Sequence, residues 1–202
     1  MLGRDAVRAS RVEKKSGRVH VTRPPAHATK GRALRPRRLD AEWTAGTVRT
    51  TLFTRAFDAP RELVWRALSE PALLRKWMYC PDDWTMTTCD DDVRVGGGFR
   101  WAWSGPNGFQ MTMHGTYREV VRPERMVRTE TFDTGCPAQA GEQVVTLVLA
   151  ETAGKTSMTL TVRYPTKDAR DAAQKSGMEH GMAVGYDQLD GLLAGPTLRK
   201  PR

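Results

Sequence analysis

Between Trp84 and Tyr164 the apolar residues recur at every second position in one segment after another, and short turns separate most of the segments. Period two is strand spacing, because successive side chains leave a strand on opposite faces. Trp84, Met86 and Thr88 share one side of the first such segment. Phe99, Trp101 and Trp103 share a face after Gly96-Gly97-Gly98. Past a hairpin loop at 104–108, Phe109, Met111, Met113, Gly115 and Tyr117 alternate with Gln110, Thr112, His114 and Thr116. Arg125–Phe132, Gln143–Glu151 and Thr156–Tyr164 continue the series. Strands joined by short turns pair antiparallel. A loop is expected at 133–142, and a solvated charged turn at Asp90-Asp91-Asp92. Three consecutive carboxylates at a strand end do not converge readily on one ion, so a metal site is not expected there.

Two further features fix how that sheet is covered. Val48–Phe57 alternates as another strand, and two short helices follow it, Arg61–Leu68 and Pro71–Met78, with Asp58 expected as the cap and Pro60 near the first turn. At the other end, Met178, Gly181, Met182, Gly185, Tyr186, Leu189, Leu192 and Leu193 form one face of a 3.6-residue helix. Thr166 suits its N-cap, and Gly195-Pro196 its end. A single helix over 166–193 would be about 42 Å long at roughly 1.5 Å per residue. Its stripe mixes thioether, aromatic and glycine where a tightly packed helix would repeat Leu, which suits a wall over a hollow. The expected architecture is α+β: a curved antiparallel sheet of seven strands, two short helices after strand one, and a long C-terminal helix across the concave face.

The formal net charge of +9 is not a property of that domain. Residues 1–40 carry it all, with 12 Lys/Arg against 3 Asp/Glu, while residues 41–198 sum to −3 and the last four add +3. The expected organisation is a disordered basic arm at 1–45, a folded domain at 46–195 and a basic tail at 196–202. Three readings of the arm stay open: an extension from a mis-called start, a loose phosphate-binding arm, and an organelle transit peptide. A nucleic-acid-binding domain is not expected, because its basic residues should lie on the folded surface. Cys80, Cys89 and Cys136 are odd in number and lack metal spacing, so reduced thiols in a cytoplasmic protein are expected. No apolar run approaches membrane-span length.

Several runs carry a family resemblance. Phe57-Asp58-Ala59-Pro60-Arg61-Glu62-Leu63-Val64-Trp65 with Leu74-Arg75-Lys76-Trp77 is similar to the start of bacterial proteins related to the C-terminal domain of the activator of the heat-shock protein 90 ATPase. Val93–Gly97, Gly115–Val120, Pro123–Val127 and Ser176–Met182 with Tyr186, Asp187 and Leu189 extend it, in order, over about residues 48–194. The resemblance implies the helix-grip fold of the START-like (SRPBCC) superfamily. It also implies a cavity for a lipid, polyketide or other hydrophobic molecule, with cyclases and hydrolases a minority of members.

The cavity lining expected from the parity of the strands and the helix stripe is Trp77, Trp84, Trp101, Trp103, Met111, Met113, Tyr117, Met178, Met182 and Tyr186. Function is expected to be binding of a hydrophobic small molecule, without cofactor or metal. An enzyme of the cyclase or hydrolase type using the same cavity is the alternative, with Glu119 and Tyr117 as the candidate acid–base pair. A co-chaperone-like protein-binding domain is a third reading, and the oligomeric state stays open, a homodimer included.

Overall fold

The computed structural model describes residues 40–43, 49–78, 80, 82–133, 141–195 and 198. Eight strands form one antiparallel sheet. They are β1 (Asp40–Trp43), β2 (Thr50–Phe57), β3 (Thr85–Asp91), β4 (Gly98–Ser104), β5 (Gln110–Val121), β6 (Arg125–Asp133), β7 (Gln143–Thr152) and β8 (Lys155–Arg163). Their spatial order is β1-β2-β8-β7-β6-β5-β4-β3. The six strands from β3 to β8 are therefore a plain meander, and β2 closes onto its last member, with Thr50 opposite Arg163 and Phe57 opposite Thr156. One strand more is present than the alternation predicts. β1 pairs along β2 with Asp40 opposite Thr54 and lies within the stretch expected as an unstructured arm. The rest of that arm, residues 1–39 and 44–45, and residues 196–197 and 199–202 of the tail lie outside the described residues.

The short helices α1 (Arg61–Ser69) and α2 (Pro71–Trp77) form as the sequence predicts. Val64, Trp65, Ala67 and Leu68 are the buried side of α1, and Leu73, Leu74 and Trp77 that of α2. The expected Asp58 cap is absent. Pro60 holds the N-cap position without a side-chain bond, and Asp58 instead pairs with Lys155 at 2.6 Å. The first amide of the helix, that of Arg61, donates instead to the Glu151 carboxylate at 2.8 Å. The Trp77 indole donates to the Ala67 carbonyl at 2.8 Å, tying the two helices together.

The single C-terminal helix is two helices. α3 (Lys167–Lys175) begins at the expected Thr166, whose hydroxyl accepts from the Ala169 amide at 3.0 Å. The chain breaks at Ser176-Gly177 and resumes as α4 (Met178–Ala194). Gly177 has φ +77°, a left-handed conformation that ends the first helix and that only glycine adopts without cost. Periodicity does not reveal the break, because the apolar stripe starts only at Met178, on its C-terminal side, and so does not fix where the helix begins. α4 buries Gly185, Tyr186, Leu189 and Leu193.

Two β-bulges shift the inward face of their strands. In β3 the register slips between Met86 and Thr88, so the inner parity passes from Trp84 and Met86 to Cys89, 3 % exposed, and Asp91. Asp90 and Asp91 are thus strand residues, not the expected turn, which lies at 92–97. In β5 the register slips between Tyr117 and Glu119. An extra residue opposite one partner rotates everything beyond it by one face.

Candidate functional site

A cavity of about 320 Å³ lies between the concave face of the sheet and α4. Its floor is built by Trp101 and Trp103 from β4, Met111 and Met113 from β5, Met126 and Phe132 from β6, and aliphatic residues of β7 and β8. Met178, Gly181, Met182, Gly185 and Tyr186 of α4 form the roof. Leu68, Leu74, Trp77 and Met78 close the end nearest α1 and α2. Two glycines one helical turn apart leave the roof thin where a Leu would fill it. Trp77 stacks on Tyr186 with centroids 5.7 Å apart and planes 20° apart, so an aromatic pair forms one corner.

Eight of the ten residues expected from parity line this space: Trp77, Trp101, Trp103, Met111, Met113, Met178, Met182 and Tyr186. Trp84 and Tyr117 do not. Trp84 sits before the bulge of β3, edge-on to Phe109 at 5.3 Å. Tyr117 is 1 % exposed beneath Phe99 and donates to Asp91 Oδ1 at 2.7 Å. Glu119 lies past the bulge of β5 and is turned outward; its half-exposed carboxylate accepts from Arg125 Nε at 2.8 Å. The Tyr117/Glu119 acid–base pair is therefore not assembled in the cavity.

Polar residues that the hydrophobic reading passes over also line the space. Arg128 and Glu130 project from β6 at the same parity as Met126 and Phe132. Arg128 Nε donates to Glu130 Oε1 at 2.8 Å, and Gln143 Nε2 to Glu130 Oε2 at 2.9 Å. The Glu130 side chain is 7 % exposed and that of Arg128 14 %. The guanidinium lies 5.0 Å from the Phe99 ring and 4.9 Å from that of Trp101. Burial opposes its charge, but Glu130, Tyr117 and Asp91 together hold its pKa above the ordinary arginine range. The signal was in the sequence: two charged residues two apart, at the parity of flanking apolar ones.

Behind this floor the Asp91 carboxyl is pushed up to about 6 by burial, against the lowering effects of the Tyr117 hydroxyl, the Arg128 charge and the Trp101 indole. Burial also raises the Tyr186 phenol to about 12, with Arg128 lowering it and Glu130 raising it. A second cavity of about 270 Å³ lies beside the first, under α3, lined by Tyr164, Pro165, Ala169, Ala173 and Ser176. Met111, Phe132, Gln143 and Met178 border both cavities. Among the described residues no cluster of His, Cys, Asp and Glu is placed to hold a metal ion, and no helix is long and apolar enough to cross a membrane.

Solved structures share this architecture. A protein from Rhodobacter sphaeroides is 35% identical, with a TM-score of 0.68 over 77% of this chain and 99% of its own. One from Staphylococcus epidermidis is 28% identical, with a TM-score of 0.62 over 74% and 92%. Another, from Chromobacterium violaceum, is 27% identical, with a TM-score of 0.62 over 73% and 98%. No curated protein matches the chain. The family model described as Activator of Hsp90 ATPase homolog 1-like protein matches residues 58–194, the span that holds the two short helices, the meander and both C-terminal helices. The chain belongs to that family and has its START-like helix-grip fold.

Proposed function

We propose that the chain binds a hydrophobic small molecule, of lipid, polyketide or aromatic type, in the cavity between the sheet and α4. The observation that carries this reading is the 320 Å³ hollow itself, walled by tryptophan, methionine and helix glycines where a structural core would be filled. Ligand pockets begin at roughly this size, ~300 Å³. Burying ~250 Å² of ligand surface contributes about 6 kcal/mol, and association costs at least about 4 kcal/mol, so shape alone gives weak binding. Directed polar contacts must supply the rest.

The test is a screen of hydrophobic ligands against tryptophan fluorescence, repeated with Met182→Trp, which fills the roof. Saturable quenching that Met182→Trp abolishes supports the reading. Absence of saturable binding across a broad library overturns it.

The enzyme reading is weaker on this geometry, since Glu119 faces away from the cavity. The cysteine usage suits a cytoplasmic chain, and any contact with nucleic acid would run through the basic arm at 1–40.

A further inference from the structure

The cavity is apolar except for one strip, and that strip has a particular hydrogen-bonding balance. Glu130 is saturated: Arg128 donates to one oxygen and Gln143 to the other. Donors remain in surplus. Arg128 Nη1 meets the Met126 sulfur at 4.0 Å, and the guanidinium also lies against the Tyr117 hydroxyl, which together use fewer than its remaining N–H groups. The Tyr186 hydroxyl has no hydrogen-bond partner among the described residues, although the residue is only 7 % exposed and lines the cavity. Its phenol lies within electrostatic reach of both Arg128 and Glu130. The hydroxyl is not one of the fully enclosed unpartnered polar atoms, so it has accessible surface where the residue lines the cavity, and a ligand oxygen can accept from it there.

Charge decides what kind of oxygen. The Arg128 cation is already balanced by Glu130 at 2.7 Å and is further offset by Asp91. A ligand carboxylate would meet Glu130 without an unspent positive charge to offset the repulsion and the loss of water. A neutral carbonyl accepts from Tyr186 and Arg128 without that repulsion. The walls specify the remainder of the molecule. Trp77 and Tyr186 are stacked. Trp101 and Trp103 line the same space, and their buried indole N–H groups have no partner in good geometry among the described residues. The volume is about twice the ~150 Å³ that holds one benzene ring.

Resting on the ligand-binding reading above, we propose that the Tyr186–Arg128 strip selects neutral, ring-bearing molecules of about two fused rings that carry a carbonyl oxygen, and rejects the corresponding carboxylates. Aryl ketones, quinones and aromatic lactones have this chemistry; free fatty acids do not.

The test uses the full chain and three probes on one ring system: naphthalene, 2-acetylnaphthalene and 2-naphthoate, measured by equilibrium dialysis. The ketone is expected to bind roughly fivefold or more tightly than the hydrocarbon, the yield of one neutral hydrogen bond, with naphthoate weakest. Tyr186→Phe deletes a single oxygen and is expected to bring the ketone-to-hydrocarbon ratio close to one. The ratio is the readout, because a loss of shape would weaken both probes together. Naphthoate binding tightest, or a ratio indifferent to Tyr186→Phe, overturns the polar selection while leaving hydrophobic binding standing. Failure of all three probes to bind overturns the ligand reading, and this inference with it.

Discussion

The Tyr117 hydroxyl donates to Asp91 across the width of β4, joining β5 to β3 beneath the cavity floor at 2.7 Å. Asp91 Oδ2 and the Trp101 indole nitrogen meet no partner in good hydrogen-bond geometry among the described residues, though the indole is close enough to favour the charged carboxylate. The carboxyl is therefore held in a place that charges it reluctantly, with a pKa near 6 against 3.8 for an ordinary aspartate. A group whose folded pKa is raised stabilises the fold when protonated. That contribution is full below about pH 4 and lost as pH rises through 6. The shift of about two units corresponds to roughly 2–3 kcal/mol. Asp91→Asn keeps the acceptor for Tyr117 and removes the titration. Urea denaturation of both proteins from pH 4 to 8 should show the variant gaining on the wild type as pH rises. A difference that is flat with pH would remove Asp91 from this role.

Arg55 of β2 anchors α4 from the other side of the sheet's hollow. Its side chain is 1 % exposed and pairs with Asp187 at 2.7 Å and with Asp190. The two carboxylates are not equivalent. Asp187 is 65 % exposed and Asp190 19 %. Water can replace the first but not the second. Asp187→Ala is expected to cost under about 1 kcal/mol, as an exposed pair does. Asp190→Ala is expected to cost roughly 3 kcal/mol, because it strips the buried side of a buried guanidinium. Thermal or urea unfolding of the two variants checks the order, and the reverse order contradicts this account.

Two glycines are expected to differ in how they fail. A Cβ at Gly115 would stand 1.8 Å from the Thr129 carbonyl oxygen, at the point where β5 and β6 press together. Gly115→Ala must push backbone from backbone and is expected to cost 3 kcal/mol or more, on the order of the largest single-site effects. Gly177 has open space around its Cβ position and only its φ of +77° to defend. Gly177→Ala is expected to cost about 1–2 kcal/mol, the ordinary price of a left-handed alanine. Comparable losses in denaturant midpoint would show that sterics at Gly115 are relieved by a shift.

These elements also mark what the sequence makes legible. Alternation along β4, β5 and β6–β8, and the stripe on α4, place the sheet, its covered face and seven of the cavity residues, because period and burial are the same fact seen twice. Alternation is silent about a bulge, which leaves composition untouched and reverses every side chain after it. Trp84 and Glu119 are misplaced for that reason, each at its own bulge, while Asp91 is missed because a run of three carboxylates reads as a turn. The break at Gly177 escapes because the stripe that marks the helix begins only at Met178, past the break. Arg128 and Glu130 have a different cause. Charged residues at inward parity are ordinarily assigned outward, and only their mutual pairing lets them stay.

That pairing gives the last prediction. Glu130 is held by Arg128 and Gln143, and the whole cluster lies between rings and methionines. Removing one charge leaves the other buried without its partner, so Arg128→Met alone is expected to destabilise the chain by roughly 3–5 kcal/mol. Adding Glu130→Leu removes the stranded carboxylate and is expected to recover most of that loss, since an apolar replacement of a buried ion pair is often neutral or better. Stability is then nearly restored while the Arg128 donor is gone and the Tyr186 hydroxyl stays. If the pair exists for recognition, the double variant should fold with a midpoint close to wild type. Its preference for 2-acetylnaphthalene over naphthalene should fall but persist, because Tyr186 still lines the cavity. A double variant with an unchanged ketone preference would remove Arg128 from the recognition and leave it to Tyr186. One that remains as unstable as Arg128→Met would show that the ion pair is needed for the fold itself, with the donors facing the cavity as a by-product.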